Sequence, residues 1–196
     1  MGYSSLRSCI DDLEKNGFLI RISKEVDPNL EMASIHLKEF ENSGKAILFE
    51  NVKGSKYPAI SNIFGTVERS NFIFRKSIKK VKKLIDLKMN PINGFKDPIS
   101  SLKSAVYATM ALPKRVSFPN DFEEIKISEI PQIKCWPDDG GAFITLPQVY
   151  SEDVMNPGIM NSNLGMYRIQ ISGNEFVKDK EIGLHYQIHR GIGIHQ

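Results

Sequence analysis

The residues of this chain that could do chemistry crowd its C-terminal end. An amide opens the run Asn163-Leu164-Gly165-Met166-Tyr167-Arg168, and a guanidinium closes it. A turn-rich stretch follows, then His185-Tyr186-Gln187-Ile188-His189-Arg190-Gly191. An amide oxygen and an imidazole nitrogen are ligands for divalent ions. A guanidinium fork holds a carboxylate or phosphate in bidentate fashion.

Spacing narrows these options. His185 and His189 could grip one metal from a helix, as in zinc proteases, but Tyr186 stands where the required Glu would be. Leu184, Tyr186 and Ile188 alternate with His185, Gln187 and His189, which reads as a strand. Four strand residues span roughly 13 Å, at about 3.3 Å each, so at most one of the two histidines then binds a given ion. The polar face of that strand either meets water or lines a polar site. In the same way Tyr167, Ile169 and Ile171 share one strand face and Met166, Arg168 and Gln170 the other. Arg168 is then an exposed or edge residue, or a carboxylate fork. Asn163 has the wrong parity to join Arg168 in a regular strand, so a bulge or a late strand start is required. Otherwise it is turn chemistry. Asp138-Asp139-Gly140-Gly141 reads as a turn.

The elements that must position these groups change character along the chain. Leu6, Ile10 and Leu13 form a helical stripe that Gly17 ends. Residues 18–22 read as a strand. Asp27-Pro28 looks like an N-cap with proline at the first helical position, followed by Leu30, Ala33, Leu37 and Phe40 at helical spacing. Strands are expected at 46–49 and 59–64, helices at about 67–88 and 98–111. Prolines 113, 119, 131 and 137 break any long element there. Beyond them a β meander is expected, with strands at 142–146, 164–172 and 183–190. The fold class is therefore α+β, with a boundary near 115–130: a small N-terminal α+β domain over 1–125 and the opening strands of a β domain over 126–196. Three strands leave exposed edges and little core, so that sheet needs more chain or a partner.

Bulk properties exclude several classes. A 41% hydrophobic, 25% charged composition is ordinary for a folded soluble protein. No run of about 18 apolar residues exists, so no membrane partner is expected, and the N-terminus lacks a secretory core. Cys9 and Cys135 stand far apart and fit unpaired thiols in a cytoplasmic protein. The lysines of 75–85 alternate with Ile78, Val81, Leu84 and Ile85 at helical spacing. That is the wet face of an amphipathic helix, without the aromatic interleaving or second basic element that a nucleic-acid or membrane partner would require. There is no dinucleotide loop, Walker loop or nucleophile elbow.

The segments Ile133-Lys134-Cys135-Trp136-Pro137-Asp138-Asp139-Gly140-Gly141-Ala142-Phe143-Ile144-Thr145, 163–168 and 185–191 closely resemble the UbiD family of decarboxylases. The N-terminal part agrees, at Ser5-Leu6-Arg7, Glu25-Val26-Asp27-Pro28, 48–54 and Asn62-Ile63-Phe64-Gly65-Thr66. The resemblance runs in order through the whole chain. It implies that the β part is the start of an FMN-binding split β-barrel, and that the activity is reversible, non-oxidative decarboxylation with prenylated FMN, Mn²⁺ (or Mg²⁺) and K⁺.

By resemblance, Asn163 and His189 are metal ligands, with His185 the alternative histidine. Met166, Tyr167, Arg168, His185, Tyr186, Gln187, Arg190 and Gly191 touch the cofactor, and Arg168 is catalytic, holding the substrate carboxylate within a Glu–Arg–Glu network. The implied partners are a small aromatic or α,β-unsaturated carboxylic acid, a flavin prenyltransferase as cofactor supplier, and further copies of the full-length chain in a homo-oligomer. Family chains are normally more than twice this length. The third metal ligand and the proton-donating glutamate are therefore expected outside this sequence, which reads as a fragment, a deliberate truncation or one product of a split gene, inactive alone. The rival expectation is a non-catalytic subunit or remnant with a structural or interaction role. A continuing downstream reading frame that encodes the missing glutamates separates the two.

Overall fold

The computed structural model describes residues 2–89, 117, 122–187 and 191–195. Within them the chain is mixed α+β, as expected: α1 (Leu6–Lys15), β1 (Leu19–Ile22), α2 (Glu31–Glu41), β2 (Ala46–Phe49), β3 (Ala59–Ser61), α3 (Val67–Ile73), α4 (Ile78–Met89), β4 (Phe143–Ile144), β5 (Gln148–Glu152), β6 (Ser162–Met166), β7 (Arg168–Gln170) and β8 (Gly183–His185). Short 3₁₀ turns occupy Ile127–Glu129, Ile159–Asn161 and Gly191–His195. The helix expected at 98–111 lies outside the described residues. The chain divides into two compact units, one of 1–20, 43–46 and 63–123, the other of 21–42, 47–62 and 124–196.

In the first unit α1 begins at a capping box. Ser8 N donates to Ser5 Oγ at 3.1 Å and Ser5 N to Ser8 Oγ at 3.2 Å, satisfying two amides that a helix start otherwise leaves orphaned. Ser5→Ala is expected to cost about 1 kcal/mol of stability, read as a lower denaturation midpoint at unchanged slope. Leu13, fully buried, and Cys9 turn inward from this helix. Asp12 accepts from Tyr3 Oη at 2.6 Å and from Arg75 Nη2 at 2.5 Å. The Tyr3 hydroxyl, then Arg75, hold its carboxyl below the ordinary range. Arg69, 2% exposed, donates to the carbonyls of Ile63 and Gly44 at 2.9 and 2.8 Å. Its guanidinium supplies the donors those backbone carbonyls need inside.

The single helix expected over 67–88 is two. Thr66 caps α3, whose last turn stops at Phe74. Ser77 Oγ and Arg75 Nη1 then bond the carbonyls of Phe74 and Phe72, the side-chain competition that interrupts a helix. In α4 the lysines are interleaved with apolar residues as expected.

In the second unit Ile47, Leu48 and Phe49 pair antiparallel with Ser61, Ile60 and Ala59, and Glu50 N donates to Ile22 O at 3.0 Å; the strand order is β1-β2-β3. Every residue of β2 is buried, which explains its unbroken apolar run. Asp27-Pro28 does not cap α2. The helix starts at Glu31, after Leu30 at φ 70°, because Asp27 Oδ1 turns on Asn29 N at 2.8 Å and the segment is held extended against Lys134: Leu30 N donates to Lys134 O, and Lys134 N to Pro28 O.

The β meander is more broken than its sequence pattern. β4 keeps only two residues of the expected 142–146, and β5 has no counterpart among the expected strands. The strand expected at 164–172 breaks at Tyr167: β6 pairs with β5 in a two-stranded sheet, while β7 lies between β4 and β8 in a three-stranded one. β8 ends at His185, and 188–190 lie outside the described residues. No closed barrel forms among the described residues. Among the described residues, Phe143, Ile171 and Ala142 are the buried apolar ones of this part.

Candidate active site

The break at Tyr167 resolves the parity conflict between Asn163 and Arg168. They stand on different strands in different sheets, so the two-residue alternation does not carry from one to the other. Around the break lies a cavity of about 560 Å³ lined by Met166, Tyr167, Arg168, His185, Tyr186, Gln187 and Gly191. The β7–β8 register sets Arg168 directly opposite His185, so one ladder position delivers both to the same wall.

Tyr167 ties the cavity's sides together. Asn163 Nδ2 and Ile192 N both donate to its hydroxyl oxygen, at 2.8 and 2.9 Å. Because the Asn163 amide nitrogen is spent on Tyr167, its Oδ1 is the atom left for a cation. Gly191 has φ 65°, and a β-carbon there would come within 2.5 Å of the Tyr167 hydroxyl and 3.4 Å of Asn163 Oδ1. Only glycine lets the chain pass so close in that conformation.

Arg168 is held from two sides. Its Nη2 donates to both carboxylate oxygens of Asp139, each at 2.9 Å, and its guanidinium carbon lies 3.5 Å from the centre of the Phe143 ring. The Asp139 side chain is only 10% exposed, that of Arg168 36%. Burial pushes the Asp139 carboxyl upward, but the Arg168 hydrogen bond and the Trp136 amide outweigh it, and the net shift is downward. Phe143 also meets the His185 ring edge-on at 5.3 Å.

Gln170, assigned from the sequence to the same polar face as Arg168, is buried at 2% exposure. Its Nε2 donates to Ser172 O at 3.1 Å, and its Oε1 accepts from Asn174 Nδ2 and faces His185 Nε2, both at 3.3 Å. A buried amide with both ends satisfied is a structural tie.

Seven of the residues expected to touch a cofactor therefore line one cavity, and Asn163 joins it through Tyr167. Arg190 and His189 lie outside the described residues. No group of three or more His, Cys, Asp or Glu able to hold a metal occurs among the described residues. From its sequence Asp139 reads only as part of a turn. The signal for more is present: an arginine within a run expected as a strand needs a carboxylate wherever it is buried, and Asp138-Asp139 opens the meander one strand away.

Fold and site together define an α+β protein with an arginine, paired with Asp139, in a polar and aromatic cavity. Two family models match the chain: the 3-octaprenyl-4-hydroxybenzoate carboxy-lyase N-terminal domain over residues 10–88, and the Rift-related domain of the same carboxy-lyase over 111–196. The chain belongs to the UbiD family. It is 37% identical to a protein of Chlamydia caviae over 100% of this chain and 33% of that one. It is 35% identical to a 4-hydroxybenzoate decarboxylase component of Chlamydia pneumoniae over 98% of this chain and 32% of the other. It thus spans about a third of the length of these two curated relatives. Among solved structures, the closed form of Sedimentibacter hydroxybenzoicus vanillic acid decarboxylase superposes with a TM-score of 0.72 at 23% identity, covering 100% of this chain and 40% of that one. The UbiD-class enzyme HmfF of Pelotomaculum thermopropionicum, in complex with FMN, gives 0.64 at 22% identity, covering 93% and 36%. At such identity these two structures speak for the fold. No helix among the described residues is long and apolar enough to cross a membrane.

Proposed function

We propose that this chain is the N-terminal part of a reversible, non-oxidative UbiD-type decarboxylase that acts on an aromatic or α,β-unsaturated carboxylic acid with prenylated FMN and a divalent metal, and that it is inactive until completed. The observation that carries this is the cavity of about 560 Å³ lined by Met166, Tyr167, Arg168, His185, Tyr186, Gln187 and Gly191. Its volume falls in the range of small-molecule sites, and its mix of tyrosine, methionine, glutamine and arginine suits a flat anionic group. The division into 1–125 and 126–196, K⁺ beside the divalent ion, cofactor supply by a flavin prenyltransferase, homo-oligomerisation and a cytoplasmic location belong to the same reading.

When bound, prenylated FMN supplies the electron sink for the pair left on carbon as CO₂ departs. The chain's own part is to bind and orient. Arg168 would hold the substrate carboxylate through guanidinium N–H groups other than those of Nη2, which Asp139 engages. Asn163 Oδ1 and one imidazole would hold the metal, a hard ion that favours oxygen ligands. His189→Ala in the complete enzyme is expected to lower Mn²⁺ and flavin retention at least about ten-fold, measured by metal analysis and flavin absorbance after desalting. A variant that keeps both moves the assignment to His185.

The reading is tested by reconstituting the complete polypeptide with prenylated FMN, Mn²⁺ and K⁺, then following CO₂ release and labelled-bicarbonate exchange. 4-Hydroxybenzoate and vanillate head the panel, since relatives and structural neighbours bear those names. No release or exchange with any aromatic or acrylic acid would overturn it.

A further inference from the structure

The pair beneath Arg168 does more than balance its charge. A free arginine carries about 2 kcal/mol of rotamer entropy that an anion must freeze out on binding. Here much of that freedom is already removed. Both Asp139 oxygens lie 2.9 Å from Nη2, and the Phe143 ring backs the guanidinium at 3.5 Å. Asp139 is itself fixed: its Oδ2 accepts from Trp136 N at 3.1 Å, and its own amide donates to Trp136 O at 3.1 Å. With the Asp139 side chain 10% exposed, this is no solvated surface pair of negligible worth. The bridge uses one terminal nitrogen, leaving Nε and Nη1 as donors on a side chain that lines the cavity.

We infer that Asp139 is a positioning residue: with Phe143 beneath, it locks the Arg168 guanidinium in place so that its remaining donors meet a substrate carboxylate. The inference rests on the reading of Arg168 given above and adds a residue to it. Asp139 touches neither substrate nor cofactor. It acts by fixing the fork, at the cost of one negative charge near the incoming anion. Position and charge therefore oppose each other, and the sign of the effect on anion binding decides between them.

The test uses the complete, cofactor-loaded enzyme and two probes, benzoate and benzamide, titrated by calorimetry. Wild type is expected to favour benzoate. Asp139→Ala is expected to weaken benzoate by at least about ten-fold, the scale of one hydrogen bond to a charged group, with benzamide nearly unchanged. Asp139→Asn, which keeps the shape of the turn, is expected to fall between, and serves alone if the alanine variant does not fold. Benzoate binding unchanged or tightened, or both probes weakened equally as a purely structural role demands, overturns the inference. Arg168→Ala separates the two proposals. If it keeps the benzoate preference, the role given to Arg168 fails; if it loses that preference while Asp139→Ala keeps it, only the role given to Asp139 fails.

Discussion

Arg168→Ala in the complete enzyme is expected to lower kcat/KM by about 10²–10³-fold or more, while the flavin retained after desalting stays close to wild type. Only Arg168 among the described cavity residues carries a fixed positive charge, so its removal leaves a substrate carboxylate without a charged partner. The cavity's other walls, formed by Tyr167, Tyr186, Gln187 and Gly191, do not depend on it. Arg168→Lys should recover little, because an ammonium cannot span both Asp139 oxygens and a second anion with a planar fork.

The variant also changes pH behaviour. In wild type the folded Asp139 carboxyl lies below its ordinary value, so its contribution to stability is complete above about pH 4 and is lost as pH falls through the folded value. Without Arg168, burial acts with less opposition and pushes the carboxyl up. Its contribution then declines as pH rises. Relative to wild type, Arg168→Ala should therefore lose stability progressively from about pH 4 to pH 7. Thermal melts across that interval check the sign, and parallel curves would show that Asp139 does not depend on Arg168.

The N-terminal elements were legible because each carries its own local signal. The Leu6, Ile10 and Leu13 stripe marks a helix by its spacing, although of the three only Leu13 is buried, and the unbroken apolar run of β2 follows from burial of both its faces. Asp27-Pro28 misled because the same residues serve an N-cap or an Asx turn, and the pairing of 28–30 with Lys134, more than a hundred residues away, selects the turn. In the β part, alternation locates apolar stretches but does not say which sheet a strand joins. Nothing local in Met166-Tyr167-Arg168 marks the switch of sheets at Tyr167. It follows from pairing with β5 on one side and with β4 and β8 on the other. Of the residues that line the cavity, Arg168, His185 and Gln187 were legible from residue type and alternation as one of two readings, and Met166, Tyr167, Tyr186 and Gly191 only by family resemblance. Asp139 is not one of them, because it acts on the site from behind.

The turn that carries Asp139 supplies the second large expected effect, in Gly141→Ala. The backbones of 140–141 and 172–173 run in close contact: Ala142 O accepts from Ile171 N at 2.9 Å, and Asn174 N donates to Gly140 O at 3.2 Å. A β-carbon on Gly141 would overlap the Ser172 carbonyl and lie 2.9 Å from Gly173 Cα. No rotamer change relieves an overlap with backbone, so the two segments must part. Overpacking of this kind costs about 1–3 kcal/mol, occasionally more, and should appear as a lowered denaturation midpoint of the complete protein. The damage should not stop at stability. Asp139 lies two residues before Gly141, and its grip on Arg168 depends on where the turn ends. Gly141→Ala molecules that remain folded should therefore share the benzoate defect of Asp139→Ala. A variant that is destabilised but keeps its benzoate preference would show that the 138–141 turn and the Arg168 fork are mechanically independent.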